Sequence, residues 1–96
     1  MALRFEWNSA KAARNVAKHG VTFDEASTVF GDAISITIAD RRHSDEEDRW
    51  VTIGSTPRGR ILVVVHTDRF DGLRVISARE ATRIERETYE KALSKR

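Results

Sequence analysis

The sequence predicts an α+β domain with two N-terminal helices, an antiparallel β-meander of three or four strands and a C-terminal helix. Three observations carry that prediction. The hydrophobic period changes from 3.6 to 2 near Ile34, helix-capping residues recur near both ends, and the connections after Ile34 are too short to cross over to parallel partners. A chain of 96 residues with 40% hydrophobic and 33% charged side chains is expected to form one folded domain over 1–96.

Taken in order, Phe5-Glu6-Trp7 alternates like a short strand, and Asn8 is placed to cap a helix running to about His19. Gly20 stands where a left-handed residue ends that helix. Thr22 and Glu25 have capping-box spacing, opening a second helix to about Phe30 with Ala26, Val29 and Phe30 inward. Ile34, Ile36 and Ile38 alternate with Ser35 and Thr37, as in a strand with one buried face. A polar loop from Asp40 to Asp48 leads to a strand at Trp50–Ser55, and Thr56-Pro57-Arg58-Gly59 supplies a tight turn. Arg60–Thr67 is apolar enough to be a central strand. After a hairpin at Asp68–Gly72 the last strand should run from Leu73 to Ser77, with a turn at Ser77–Glu80. The final helix should run from about Thr82 to Lys95, its inward stripe formed by Ala81, Ile84, Thr88 and Ala92 with Tyr89 and Leu93 alongside.

Several function classes are disfavoured. No apolar run approaches a membrane span, and the N-terminus lacks the basic start and apolar stretch of a secretion signal. With no cysteine there is no disulfide or thiolate nucleophile, so a cytoplasmic protein is expected. His19, His43 and His66 show no metal-ligand spacing, and neither a phosphate-binding glycine loop nor a Gly-x-Ser-x-Gly elbow occurs. No metal and no cofactor are expected.

The net charge of +2 is unevenly placed: residues 1–20 and 73–96 each carry +3, whereas residues 21–48 carry −6. If the basic ends meet in space they form an anion-binding face; otherwise they are solvated helix surfaces. Lys11, Asn15 and Lys18 share a helical face bordered by His19, while Ala10, Ala13 and Ala17 occupy another and are small enough to pack on a sheet. Arg74 interrupts an apolar strand, which is costly unless it reaches water, a partner or a ligand. Arg69 and Arg79 could converge with it, or all three could be paired with Glu47, Glu80 or Asp68. Arginine forks would stabilise the extra charge of a phosphorane formed when an RNA 2′-hydroxyl attacks its own phosphate. A base and an acid are then the remaining needs, and histidine can serve as either.

The sequence also resembles the BrnT family, RelE-like toxins of type II toxin–antitoxin systems. The resemblance runs over about residues 5 to 90, through Phe5-Glu6-Trp7-Asn8, Lys18-His19-Gly20-Val21-Thr22-Phe23-Asp24-Glu25-Ala26, Asp40-Arg41-Arg42-His43-Ser44 leading to Glu47 and Arg49, Val63-Val64-Val65-His66-Thr67 and Arg74-Val75-Ile76-Ser77-Ala78-Arg79-Glu80. It implies a metal-independent endoribonuclease that inhibits translation. It further implies neutralisation by a BrnA-like antitoxin in a heterotetramer, which would repress its own promoter DNA through the antitoxin's ribbon-helix-helix part. The catalytic residues it implies are His19, Arg74, Arg79 and Glu47, and the RNA-binding ones are Lys11, Lys18, Arg49 and Arg69. His19 serves as acid or base, or else caps a helix end. Where the family often has tyrosine this chain has His66, either a proton donor or a packed ring needing a partner. A non-catalytic RNA- or protein-binding module on the same fold is the alternative. Antitoxin contact through Trp50 or Phe70 requires that at least one be partly exposed.

Overall fold

The computed structural model describes residues 3–40 and 48–95. The elements are strand β1 (Arg4–Glu6), helix α1 (Ser9–His19), helix α2 (Phe23–Ser27) running into a 3-10 turn (Thr28–Gly31), strands β2 (Ile36–Ala39), β3 (Arg49–Ser55), β4 (Ile61–Arg69) and β5 (Gly72–Glu80), and helix α3 (Arg83–Ser94). They form one five-stranded sheet in the order β1-β5-β4-β3-β2. The meander from β2 to β5 is antiparallel, as expected. The sheet as a whole is mixed, however, because β1 adds to β5 in parallel, with Glu6 opposite Arg74. Three residues are too few to announce a pairing partner from sequence.

The last strand is longer than expected. Ser77–Glu80 is not a turn but a continuation of β5, paired through to Leu62↔Glu80. A register shift opposite Val65/His66 makes Ile76 an extra residue, so Ile76 and Ser77 lie side by side on one face while Ala78 still enters the core. Ladder pairing therefore overrides the capping signal of Ser77.

The sheet's first face carries Leu62, Val64, Leu73, Val75 and Ala78, packed under α1 and α2 through Val21, Phe23, Ala26 and Val29. The alternating residues Ile53 and Val63 point to the second face, where Ala81 and Tyr89 cover them. Three faces differ from expectation. On α1 the inward residue is Asn15, and Ala10, Ala13 and Ala17 are exposed. The Asn15 amide donates to the carbonyls of Ala78 (2.8 Å) and Val21 (2.9 Å), and its oxygen accepts the Ala78 N–H at 3.1 Å. It thus pairs with β5 as a strand residue would, beyond the point where β1 ends. On α3, Ile84 is 76% exposed and Thr88 faces solvent, while Glu85 turns inward beside Tyr89. In β2, Ile38 is 56% exposed because that edge strand lies beyond α3.

The caps follow the predicted chemistry. Asn8 accepts the Lys11 amide at 3.0 Å, and Gly20 adopts φ 68°, a conformation that glycine takes without a Cβ penalty. Thr22 accepts the Glu25 amide, but the Glu25 carboxylate turns away to Thr56 and Arg60 instead of closing the box. The complete box forms at α3, with Thr82 and Glu85 exchanging both bonds. The β3–β4 turn is closed by Gly59 N–H to Thr56 C=O at 2.8 Å.

Candidate active site

Beside α3, the second sheet face holds a cleft of about 750 Å³. Ile38, Val51, Val63, Val65 and Ile76 give it an apolar floor, and Asp40, Arg49, Ser77, Arg79 and Glu85 stand around it. Strand register explains the layout. Arg49 is opposite Thr67, Thr67 is opposite Arg74, and Arg74 is opposite Glu6, so these four form one row on the cleft face. Arg79 is opposite Val63, at the other end of the face.

Arg79 is held by a two-pronged ion pair. Its guanidinium donates two bonds to Glu85, at 2.7 and 2.8 Å, in the fork geometry that fixes an arginine plane. Those bonds raise the Arg79 pKa above its ordinary value despite burial. They also bring Glu85 down to about 2, against the opposing effect of burial and with help from the Thr82 amide. Glu85 is accordingly ionised at neutral pH. Arg74 donates to Glu6 at 2.9 Å, and Arg69 lies 3.6 Å from the same carboxylate while donating to the Thr67 hydroxyl at 3.1 Å.

The eight residues singled out from sequence thus divide. Arg49, Arg69, Arg74 and Arg79 share the cleft face. Lys11, Lys18 and His19 sit on α1, across the sheet from it, the lysines exposed and His19 half-buried. Glu47 lies outside the described residues. Among the described residues, Glu6 lies against Arg69 and Arg74 and Glu85 holds Arg79, where Glu80 or Asp68 had been the expected rivals alongside Glu47. Glu85 was legible only as a capping residue; that it also faces Arg79 depends on the rotation of α3.

α3 is set in place by a polar knot. The Tyr89 hydroxyl donates to Asp32 at 2.5 Å and meets Ser55 Oγ at 3.2 Å; Asp32 also accepts the Ser55 and Ile34 amides. Burial would raise Asp32, but these hydrogen bonds outweigh it and bring the pKa below the ordinary value. Burial and the Asp32 bond both raise Tyr89. His66 belongs to the opposite face. It is buried, its Nε2 is 2.8 Å from the Thr52 hydroxyl and its ring packs edge-on to Phe30. Burial lowers its pKa, so the ring is neutral and packed rather than exposed to the cleft.

Residues 7–85 match the family model described as ribonuclease toxin, BrnT, of type II toxin–antitoxin systems. The chain belongs to the BrnT family. A solved BrnT ribonuclease toxin from Brucella abortus is similar in fold, with a TM-score of 0.65 and 24% identity, covering 85% of this chain and 100% of that one. No curated protein matches the chain. As a BrnT family member it is a toxin-system protein whose counterpart is an antitoxin. Among the described residues no helix is long and apolar enough to cross a membrane.

Proposed function

We propose that this BrnT protein is a metal-independent endoribonuclease that cuts RNA in the cleft between Arg79 and the Arg49–Arg74 row. The observation that supports this reading most is the Arg79–Glu85 fork at the head of an apolar floor. A base can lie on Val51, Val65 and Ile76 while arginines at both ends meet its flanking phosphates. The RNA 2′-oxygen then bonds to phosphorus, the bond to the 5′-oxygen breaks, and a 2′,3′-cyclic phosphate and a 5′-hydroxyl result. Arg79 stabilises the equatorial oxygens, where negative charge grows, without losing its own proton. Arg49, Arg69 and Arg74 position the strand. The 2′-proton passes to a rim carboxylate, for which Asp40 is our assignment among the described residues and Glu47 the other candidate, and the departing 5′-oxygen takes its proton from water to become the 5′-hydroxyl. His19, on the far side of the sheet, is assigned to the end of α1.

Through this cleavage the protein would inhibit translation, and a BrnA-like antitoxin would neutralise it in a heterotetramer that co-represses the operon. Phe70, fully exposed at the β4–β5 turn, and half-buried Trp50 satisfy the exposure that antitoxin contact requires.

The test compares Arg79→Ala with His19→Ala on a short single-stranded RNA, with thermal melts as a folding control. Arg79→Ala should lose about 10²-fold or more in cleavage rate, and His19→Ala should stay near wild type. The reverse order would move the chemistry to α1; RNA binding without scission by wild type would favour the non-catalytic module.

A further inference from the structure

Among the described residues, seven of the ten arginines lie against carboxylates. Arg4 pairs with Asp71, Arg58 and Arg60 with Glu25, Arg69 and Arg74 with Glu6, Arg79 with Glu85 and Arg83 with Glu87. Helix α1 is different. Its eleven residues, SAKAARNVAKH, include no acid, and among the described residues Lys11, Arg14 and Lys18 make no ion pair. The unpaired cations of α3, by contrast, are interspersed with Glu87 and Glu90.

Lys11, Arg14 and Lys18 are all exposed and follow i, i+3, i+7. At 3.6 residues per turn they fall within an arc of about 60° and extend along about 10 Å of the helix. Their surface neighbours away from the sheet are small, namely Ala10, Ala13 and Ala17, so nothing bulky holds a partner at a distance. The stripe lies across the sheet from the cleft. The inward Asn15, clamped to Ala78, fixes its orientation.

We infer that the Lys11–Arg14–Lys18 stripe of α1 is an exosite for the phosphate backbone of structured RNA, separate from the cleft. The inference rests on the proposed ribonuclease reading for the identity of the anion, and it adds a substrate class. Glu6 and Glu85 offset two of the four arginine charges on the cleft face, whereas no carboxylate among the described residues pairs with the three cations of α1, which act at the range of the Debye length, about 8 Å at physiological salt. One strand of a few nucleotides cannot touch both faces of the sheet. An RNA that engages both must be long or folded, reaching around a molecule whose extents are 35 × 31 × 27 Å. Protein selectivity for folded RNA then arises from geometry, without base reading at α1.

The experiment reverses the stripe in the full chain (Lys11→Glu, Arg14→Glu and Lys18→Glu together). It measures binding and cleavage of two probes: an RNA hairpin of about 16 base pairs with a single-stranded flank, and a single-stranded pentanucleotide. All three positions are exposed, and a melting curve verifies folding. For the hairpin, affinity should fall at least tenfold and the slope of log K against log salt should shrink by about 2–3. The loss should be at least tenfold greater for the hairpin than for the pentanucleotide. Equal affinities and slopes for wild type and variant would overturn the exosite. So would unchanged RNA affinity with weakened binding of an antitoxin, which would give the stripe to a protein partner. Wild-type hairpin binding that depends on the stripe, with neither RNA cut, would retain the exosite and reject the cleavage reading.

Discussion

Asn15 does the work of a strand residue from within a helix, and its neighbours show how much one amide can decide. Its three bonds satisfy the Ala78 N–H and C=O, beyond the end of β1, and the Val21 C=O. Asn15→Leu keeps the volume but leaves these groups buried and unpaired, so stability should drop by about 2–4 kcal/mol in denaturant titration. Spacing alone put Asn15 with Lys11 and Lys18 on a polar face, because a buried asparagine and a solvated one look alike until its partners are known. Two titrating residues give a second prediction. Glu85 folds with a pKa of about 2 against an ordinary 4.5, so its stabilisation is present above about pH 4.5 and lost as pH falls towards 2. His66 is lowered from 6.5, so the unfolded chain takes up its proton first and stability declines as pH drops below about 6.5. Melting temperatures from pH 8 to 3 should show both declines. His66→Phe should abolish the first and Glu85→Gln should diminish the second.

At the scale of elements, the boundaries were legible where local chemistry sets them. Asn8, Gly20, Thr22 and Thr82 each cap what they were expected to cap. What sequence missed depends on distant partners: the parallel docking of β1, the extension of β5 through Glu80, and the rotation of α3. That rotation is imposed by Tyr89–Asp32 and Arg79–Glu85, which outweigh the apolar claims of Ile84 and Leu93. Tyr89→Phe should therefore loosen α3, lowering thermal stability by the equivalent of about 1–2 kcal/mol and reducing cleavage, because Glu85 no longer holds Arg79 in one place. The β1–β5 contact is equally specific. A Cβ at Gly72 would stand 1.7 Å from the Arg4 carbonyl oxygen. Gly72→Ala should displace β1 and free Glu6 from Arg74, which would register as lower melting temperature and faster amide exchange in residues 4–6.

For the whole molecule, the sequence disclosed a basic beginning and end around an acidic middle, but not which side of the sheet each would take. The fold separates them: the arginines of β3 to β5 face the cleft, while the cations of α1 lie behind it. Phe70 projects from the β4–β5 turn into solvent, so Phe70→Ala should weaken antitoxin binding at least tenfold in titration calorimetry while leaving the melting temperature unchanged. We propose that the cleft cuts RNA by transphosphorylation through Arg79. This is tested most directly by incubating a defined RNA in chelator with wild-type protein and with Arg79→Ala, then identifying the product ends. Wild type alone should leave a 2′,3′-cyclic phosphate and a 5′-hydroxyl. Scission that needs a divalent cation, leaves a 5′-phosphate or persists in Arg79→Ala would contradict it.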